Sequence, residues 1–471
     1  MMNTTPHRIE RAMIGKGIEK VIAYTSEPTE RKKNLLQLVD VAEKIASSQF
    51  KPQSYRAVRE LITEQDGKWM RYVNRILDEV NPNVLRMTAL NLGFEAAYYG
   101  TKVIRQKRLE HQCPIPWVML VDPTSACNLH CTGCWAAEYG HKLNLSYEEL
   151  DDLITQGKEL GVFFYMFTGG EPLTRKKDLI RLCEKHNECA FHAFTNGTLV
   201  DEAFCREMVR VGNLSLSLSL EGFEEANDSR RGEGIYEKVL QAMDLLKANG
   251  LIFGTSICYT RKNLEVVTSD EFLDLLIDHG CRYSWYFHYM PVGNDASLEL
   301  VPTASQREYI YHRLREIRGR HSGKPIFVMD FQNDGEFVGG CIAGGRNYCH
   351  VNANGDVEPC VFIHYSSANI HDVSLLEALQ QPLFMAYRDE QPFNDNQLRP
   401  CPMLENPEFL QAMVQKTGAH STDLQSPESA EHLCGKCSHY AEEWQQTADK
   451  LWAEDRHFTP NFKNYKSDYE K

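Results

Sequence analysis

From Pro116 onward the chain alternates between two kinds of segment, and this constrains its fold more than any other feature. WVMLVDP (117–123), VFFYMFTGGEP (162–172), ECAFHAFTNG (188–197), NLSLSLSLEG (213–222), IFGTSICYT (252–260) and YSWYFHYMPVG (283–293) read as strands. The runs between them space apolar residues three and four apart, as helices do. The first, SYEELDDLITQGKELG (146–161), opens on a capping box, with Ser146 as N-cap and Glu149 three residues on. Six such alternations imply a parallel sheet with right-handed crossovers. Two architectures fit: an open doubly wound sheet, or a complete or partial barrel. Either one puts its chemistry at the C-terminal ends of the strands.

The flanks differ. Residues 1–112 show helical spacing and no strand alternation, with a break at Asn81-Pro82-Asn83. The apolar helix VLRMTALNLGFEAAYYGTKVI (84–104) is expected to pack on the next domain rather than on a membrane. After about Lys324 the alternation stops, and short strands (IFVMDF, YCHVNANGDVEPCVF) lie among Gly, Asn, Pro and Cys. The predicted division is 1–112, helical; 113–323, alternating; 324–440, Cys-rich; and 441–471, a polar helical tail. A formal charge of −14 argues against a nucleic-acid platform. No apolar run approaches the ~18 residues that span a bilayer, and MMNTTPHRIERAMIGKG lacks the apolar core of a secretory signal. A cytoplasmic setting is therefore expected. There, 15 cysteines point to metal or catalysis before disulfides.

Cys127, Cys131 and Cys134, in CNLHCTGC, follow the first strand directly. Three thiolates so close can wrap one metal centre, and thiolates select zinc or iron–sulfur. Structural zinc wants four closed ligands, which His130 or His141 could complete. With cysteines alone, one iron of a four-iron cluster stays open.

This CxxxCxxC loop resembles the hallmark of the radical SAM enzyme family, and each later strand adds to the likeness. The resemblance spans about residues 113–320. It implies a partial (β/α)6 TIM-like barrel with an N-terminal helical extension and a small Cys-rich C-terminal α+β domain. It also implies a [4Fe-4S] cluster on Cys127, Cys131 and Cys134, with S-adenosylmethionine on the open iron. Reductive cleavage would then yield a 5′-deoxyadenosyl radical that abstracts a substrate hydrogen. An electron donor such as flavodoxin or ferredoxin is the implied partner. The second strand ends in Gly169-Gly170-Glu171-Pro172, similar to the family's GGEP motif, which holds the methionine ammonium. Two glycines let backbone approach a ligand, and Glu171 can pair with a cation. The third strand ends at Thr195-Asn196-Gly197, a place where TNG recurs in the family. On the fourth, Ser217, Ser219 and Glu221 share one face, and Ser219 and Glu221 are the expected ribose contacts. Arg231, in preference to Arg230, is expected at the methionine carboxylate. One position departs from the pattern. Gly133 stands where many members carry an aromatic residue, and Trp135 lies beyond the third cysteine.

Six more cysteines lie beyond residue 340: Cys341, Cys349, Cys360, Cys401, Cys434 and Cys437. The stretch from Cys349 to Cys360 resembles the opening of the SPASM and twitch auxiliary-cluster domains. Asn354-Gly355 signals a hairpin that would bring these two cysteines together. With Cys434 and Cys437, a CxxC pair, they make the simplest auxiliary site; Cys341 or Cys401 could replace one of the four, or the six could share two incompletely ligated clusters. One auxiliary [4Fe-4S] cluster is implied; the CxxCxxxxxC run of a full SPASM domain is absent, and a closed tetrathiolate site also suits zinc. Cys113, Cys183, Cys189, Cys205, Cys258 and Cys281 read as core or incidental. Trp285, Tyr286, His288, Tyr289 and Asn294 are candidates to line a substrate cavity, with about half sent inward by alternation. The functions that follow are peptide or protein maturation or natural-product modification, radical chemistry on a lipid or other small hydrophobic substrate, or, from another class, a non-catalytic metal-binding scaffold.

Overall fold

The computed structural model describes residues 5–46, 52–64, 66–293 and 296–454. Strands form at all six predicted places: β1 (Val118–Val121), β2 (Phe164–Phe167), β3 (Ala190–Thr195), β4 (Leu214–Ser219), β5 (Phe253–Tyr259) and β6 (Tyr283–His288). Each pairs in parallel with the next. The sheet then gains strands the alternation does not predict. β7 (Phe327–Asp330) pairs in parallel with β6, and β8 (Tyr348–Val351) pairs in parallel with β1 on the opposite side. A short β9 (Val357–Glu358) returns antiparallel to β8. The order is β7-β6-β5-β4-β3-β2-β1-β8-β9, and the two ends do not meet, so the fold is a partial barrel in the α/β class. Segments expected to begin a separate C-terminal unit thus pave both edges of the barrel sheet. Local pattern shows that a segment is extended; it does not show which distant strand it will pair with.

Period two sorts every strand into two faces. Met119, Val121, Tyr165, Phe167, Phe191, Ala193, Leu216, Leu218, Ile257 and Tyr286 join one apolar core with the surrounding helices. Val118, Leu120 and Met166 join a second, shared with the C-terminal region. A fully buried side chain of this size contributes about 1.5–3 kcal/mol, so a register slip of one residue would exchange the two cores at heavy cost. The helix Tyr147–Leu160 carries the predicted capping box. Glu149 N donates to Ser146 Oγ at 3.1 Å, and Ser146 N donates to Glu149 Oε2 at 2.6 Å.

The described part of residues 1–112 is helical from Thr5 to His111. The expected apolar helix is three pieces: α over Pro82–Thr88, π over Ala89–Gly100, and α over Thr101–His111. It packs on the barrel. Asn91 Nδ2 donates to Asn187 O and Cys189 O at 2.9 and 2.8 Å, and Trp117 Nε1 donates to Ala96 O at 3.0 Å. A Cβ on Gly100 would stand 2.5 Å from Gly161 O, so the helix can seat this closely only with glycine there. The tail from 441 continues the helix Ala430–Glu454, and residues 455–471 lie outside the described residues. Among the described residues no helix is long and apolar enough to cross a membrane.

Candidate active site

The loop after β1 carries Cys127, Cys131 and Cys134, each half-buried. Groups from the loop itself, from the end of β3 and from the helix after β4 approach its sulfurs. Leu129 N donates to Cys127 Sγ at 3.4 Å, Asn196 Nδ2 lies 4.0 Å from the same sulfur, and Arg231 Nη1 lies 3.8 Å from Cys131 Sγ. Burial pushes the Cys127 thiol up to about 11 and raises Cys134 as well. Thiols held up in this way become thiolates when a cation supplies the compensating charge, with release of protons.

Among the described residues no three His, Cys, Asp or Glu side chains converge to hold one ion. His130 and His141 pack edge to face on each other, with centroids 5.2 Å apart. They close no tetrahedral site. A four-iron cluster would take one iron per thiolate and so would not need the three cysteines to converge on a single ion. A soft three-thiolate loop, with N–H and guanidinium groups turned toward its sulfurs, fits that larger group.

Gly169 and Gly170 serve the loop directly. Gly170 N donates to Thr124 O at 3.0 Å, and Glu171 N donates to Ala126 O at 2.8 Å. Added Cβ atoms would stand 2.6 Å from Thr124 O at Gly169 and 2.2 Å from Ala126 O at Gly170. Here the close approach is to the cysteine loop, where the sequence suggested approach to a ligand. Glu171 is buried, and burial raises its pKa. It accepts from Leu173 N at 2.9 Å, Thr195 Oγ1 at 2.7 Å and Asn196 N at 2.8 Å. It therefore staples the second strand end to the third. Asn196 Nδ2 continues to Asn128 Oδ1 at 2.8 Å.

On β4, Ser217 is tied to His192 Nε2 at 3.0 Å, while Ser219 is half-buried and has no side-chain hydrogen bond. Glu221, expected as a ribose contact, is buried and already engaged at both oxygens. Arg230 Nη1 donates to its Oε1 at 2.6 Å, Arg231 donates to the same oxygen through Nε at 3.1 Å and through Nη2, and Cys258 N donates to Oε2 at 3.1 Å. Arg230 Nε also donates to Thr132 O at 3.1 Å. Both arginines thus lie between Glu221 and the cysteine loop. Cys258 is not incidental either. It faces the barrel interior, near enough to Cys134 and to both arginines to feel their charge.

The C-terminal cysteines divide by strand parity. Cys349 shares its face of β8 with Val351, is fully buried, and belongs to the barrel–helix core. The hairpin at Asn354-Gly355 does form, with Gly355 at φ +87, but its register opposes His350 to Glu358 and Val351 to Val357. It therefore does not bring Cys349 to Cys360, which corrects the expected ligand set. Cys360, Cys434, Cys437, Cys341 and Cys401 all lie in the second core. Tyr348 Oη donates to Cys360 Sγ at 2.6 Å. The Tyr387 hydroxyl is buried without a hydrogen-bond partner and within electrostatic reach of Cys341, Cys360, Cys401 and Cys434. An orphaned donor among four thiols fits an auxiliary cluster on those cysteines.

One constellation has no sequence signal. His350, fully buried, stands between Asp122 (Nε2 to Oδ1, 2.9 Å) and Glu358 (Nδ1 to Oε2, 2.6 Å). Burial works against the charge of His350, but the two carboxylates outweigh it and hold the imidazole up at about 10. Tyr139 Oη donates to Glu358 at 2.8 Å, Asn352 Nδ2 donates at 2.8 Å, and Thr422 donates as well. Trp135 packs edge-on against His350 at 5.8 Å, so it belongs to this network. The place of an aromatic beside Gly133 is taken by Tyr289, since a Cβ there would meet Tyr289 Cε2 at 2.7 Å.

Residues 121–276 match the radical SAM superfamily, and residues 341–403 match the iron–sulfur cluster-binding SPASM domain. An AdoMet-dependent heme synthase of Oleidesulfovibrio alaskensis is 26% identical over 300 residues, covering 58% of this chain and 76% of the relative. A mycofactocin maturase of Mycolicibacterium smegmatis is 26% identical over 271 residues, covering 54% and 67%. Among solved structures, Streptococcus suis SuiB bound to S-adenosylmethionine aligns with a TM-score of 0.53 at 19% identity, over 63% of this chain and 75% of that one.

Proposed function

Because the chain is a radical SAM enzyme with a C-terminal SPASM domain, we propose that it acts in peptide or protein maturation or in the modification of a natural product. When bound, the [4Fe-4S] cluster supplies the electron that cleaves S-adenosylmethionine to methionine and a 5′-deoxyadenosyl radical. In this reading Cys127, Cys131 and Cys134 hold it. The chain's other residues position. Gly169, Gly170, Glu171 and Asn196 fix the second and third strand ends against the loop, and Glu221 orients Arg230 and Arg231 toward its sulfurs. Ser219, unpartnered on the inner face, is left as the ribose contact. Cys341, Cys360 and Cys401 hold the auxiliary cluster with Cys434 or Cys437. The electron donor is a low-potential carrier such as flavodoxin or ferredoxin.

The observation that carries the reading is convergence: buried Glu171 and Glu221 fix the strand ends and the arginines from which Asn196 and Arg231 approach the sulfurs of one three-thiol loop. The likeness to a mycofactocin maturase supports the maturation class. A specific feature favours a second reading, a small hydrophobic substrate. An apolar groove of about 470 Å³ lies on the N-terminal helices, lined by Met13, Ile14, Val21, Leu77 and Leu85. A relative named for heme synthesis points the same way.

The test is anaerobic reconstitution with iron and sulfide, then S-adenosylmethionine and dithionite. Formation of 5′-deoxyadenosine is expected, and its absence sinks the catalytic reading. A mass change in a peptide encoded beside this gene, rather than in a lipid or tetrapyrrole, separates the two substrate classes.

A further inference from the structure

The inner face of the barrel differs from the outer in both chemistry and access. On β6 the outward Ser284, Tyr286 and His288 are buried, while the inward Tyr283, Trp285 and Phe287 are half-buried. On β4 and β5 the inward Ser219, Ser256 and Cys258 are likewise half-buried, against fully buried Leu216 and Ile257 on the outer face. In the lumen, the inward side chains therefore keep accessible surface that the outward ones lack.

One wall of it is aromatic. Trp285 and Phe287 stack at 5.9 Å and 11°, Phe194 meets them edge-on at 6.3 and 5.9 Å, and Phe331 lies 5.1 Å from Phe287. Leu120 and Met166 face the same space from β1 and β2. Directly beside the aromatic wall, with His192 edge-on to Phe194 at 5.0 Å, the lining is polar but neutral. His192 is pushed by burial to about 3, and its two ring nitrogens are taken by the hydroxyls of Ser215 and Ser217 at 2.9 and 3.0 Å. Among the described residues the charges on this face are already paired with one another: Glu221 with Arg230 and Arg231 at the rim, and Asp122 and Glu358 with His350 beside β1. One donor is unused. The Trp285 indole N–H is buried with no partner. An orphaned N–H costs free energy that an acceptor on a ligand would recover, and aromatic walls favour edge or offset contact with a ring. A charged group would enter with nothing to pair it.

We propose that the lumen receives an uncharged aromatic group of the substrate carrying an oxygen acceptor, as a phenol does, with that oxygen meeting the Trp285 N–H. This rests on the functional reading above, and it selects neutral aromatic groups against acidic or basic ones for the reacting part of the substrate.

The test uses the full reconstituted chain labelled with 5-fluorotryptophan. Six tryptophans give a resolvable set of ¹⁹F lines, and Trp285→Phe identifies the one of interest. Titration with p-cresol is expected to shift the Trp285 line saturably. Calorimetry on the unsubstituted chain, which needs no variant to fold, should show toluene binding about fivefold more weakly, as loss of one hydrogen bond predicts. 4-Methylbenzoate should bind at least about tenfold more weakly, as burial of an unpaired charge predicts. A Trp285 line that p-cresol leaves unmoved, or equal affinity for p-cresol and 4-methylbenzoate, overturns the proposal. Formation of 5′-deoxyadenosine by the same preparation is scored separately. Its absence would sink the catalytic reading while leaving the binding result standing, and its presence with equal affinities would sink only the lumen proposal.

Discussion

The loop of Cys127, Cys131 and Cys134 and the C-terminal cysteines present the same donor atom in opposite settings. The loop keeps its thiols half-exposed, within one turn of chain, and surrounds them with Asn196, Arg230 and Arg231. The C-terminal set draws its thiols from four separate segments into an apolar core, where Cys360, Cys434 and Cys437 are buried and pushed up to about 12. A site that must admit a ligand stays open and polar. A site enclosed in an apolar core has its potential set by burial and by nearby hydrogen bonds. Between them lies Asp122–His350–Glu358, one end on the stem of the cysteine loop and the other two residues before Cys360.

The largest effect is expected at the open site. Cys131→Ala should reduce 5′-deoxyadenosine formation to the level of the mixture without enzyme, measured by chromatography after reconstitution. In the closed site, Cys360→Ala should spare uncoupled cleavage but lower the iron content and abolish product. Cys349→Ala should keep full iron and cost about 1–2 kcal/mol of stability, as an ordinary core truncation does. Iron loss in Cys349→Ala would restore the hairpin pair that strand register argues against.

The bridge comes next in size. His350→Ala leaves two buried carboxylates without their cation, a loss of about 3–5 kcal/mol, read as a lower denaturation midpoint. A shift under about 1 kcal/mol would show that the two sites are not held together through this residue. The smallest effect is at Tyr387. Tyr387→Phe should lower the auxiliary midpoint potential by about 40 mV, the equivalent of one hydrogen bond of about 1 kcal/mol to a one-electron centre. An unchanged potential in an EPR-monitored titration would place the hydroxyl away from the cluster.

What could be read before the structure depended on how far each feature reaches along the chain. CNLHCTGC, the capping box at Ser146 and the six strands are local, so spacing reported them. That Ser217 and Ser219 share one face followed from period two. The partner of Glu221 did not, because Arg230 and Arg231 reach it from the next helix only once β4 has been placed. Tyr286 and His288, candidates for the cavity, face outward, while Trp285 faces inward; alternation gave the half but not which half. Tyr289 packs on Gly133, and Asn294 lies outside the described residues. The network around His350 joins β1, β8, β9 and a distant threonine, and no residue in it carries a motif.

By itself the sequence determined that a parallel sheet with helical crossovers forms, that three thiols stand at its first strand end, and that glycines and carboxylates follow at later strand ends; the barrel form was implied only by the family resemblance. Those facts are set by periodicity, by glycine's freedom and by spacing within single segments. Only the tertiary structure decided that strands from beyond residue 324 pair with β6 and β1, that Cys349 belongs to the barrel–helix core while Cys341 and Cys401 pack with Cys360, Cys434 and Cys437, and that Trp285 and Phe287 face the barrel interior. Strand pairing and parity are long-range. Which partner a strand finds, and so which side of it faces the interior, is fixed by burial of both faces at once, and no local stretch of chain contains that information.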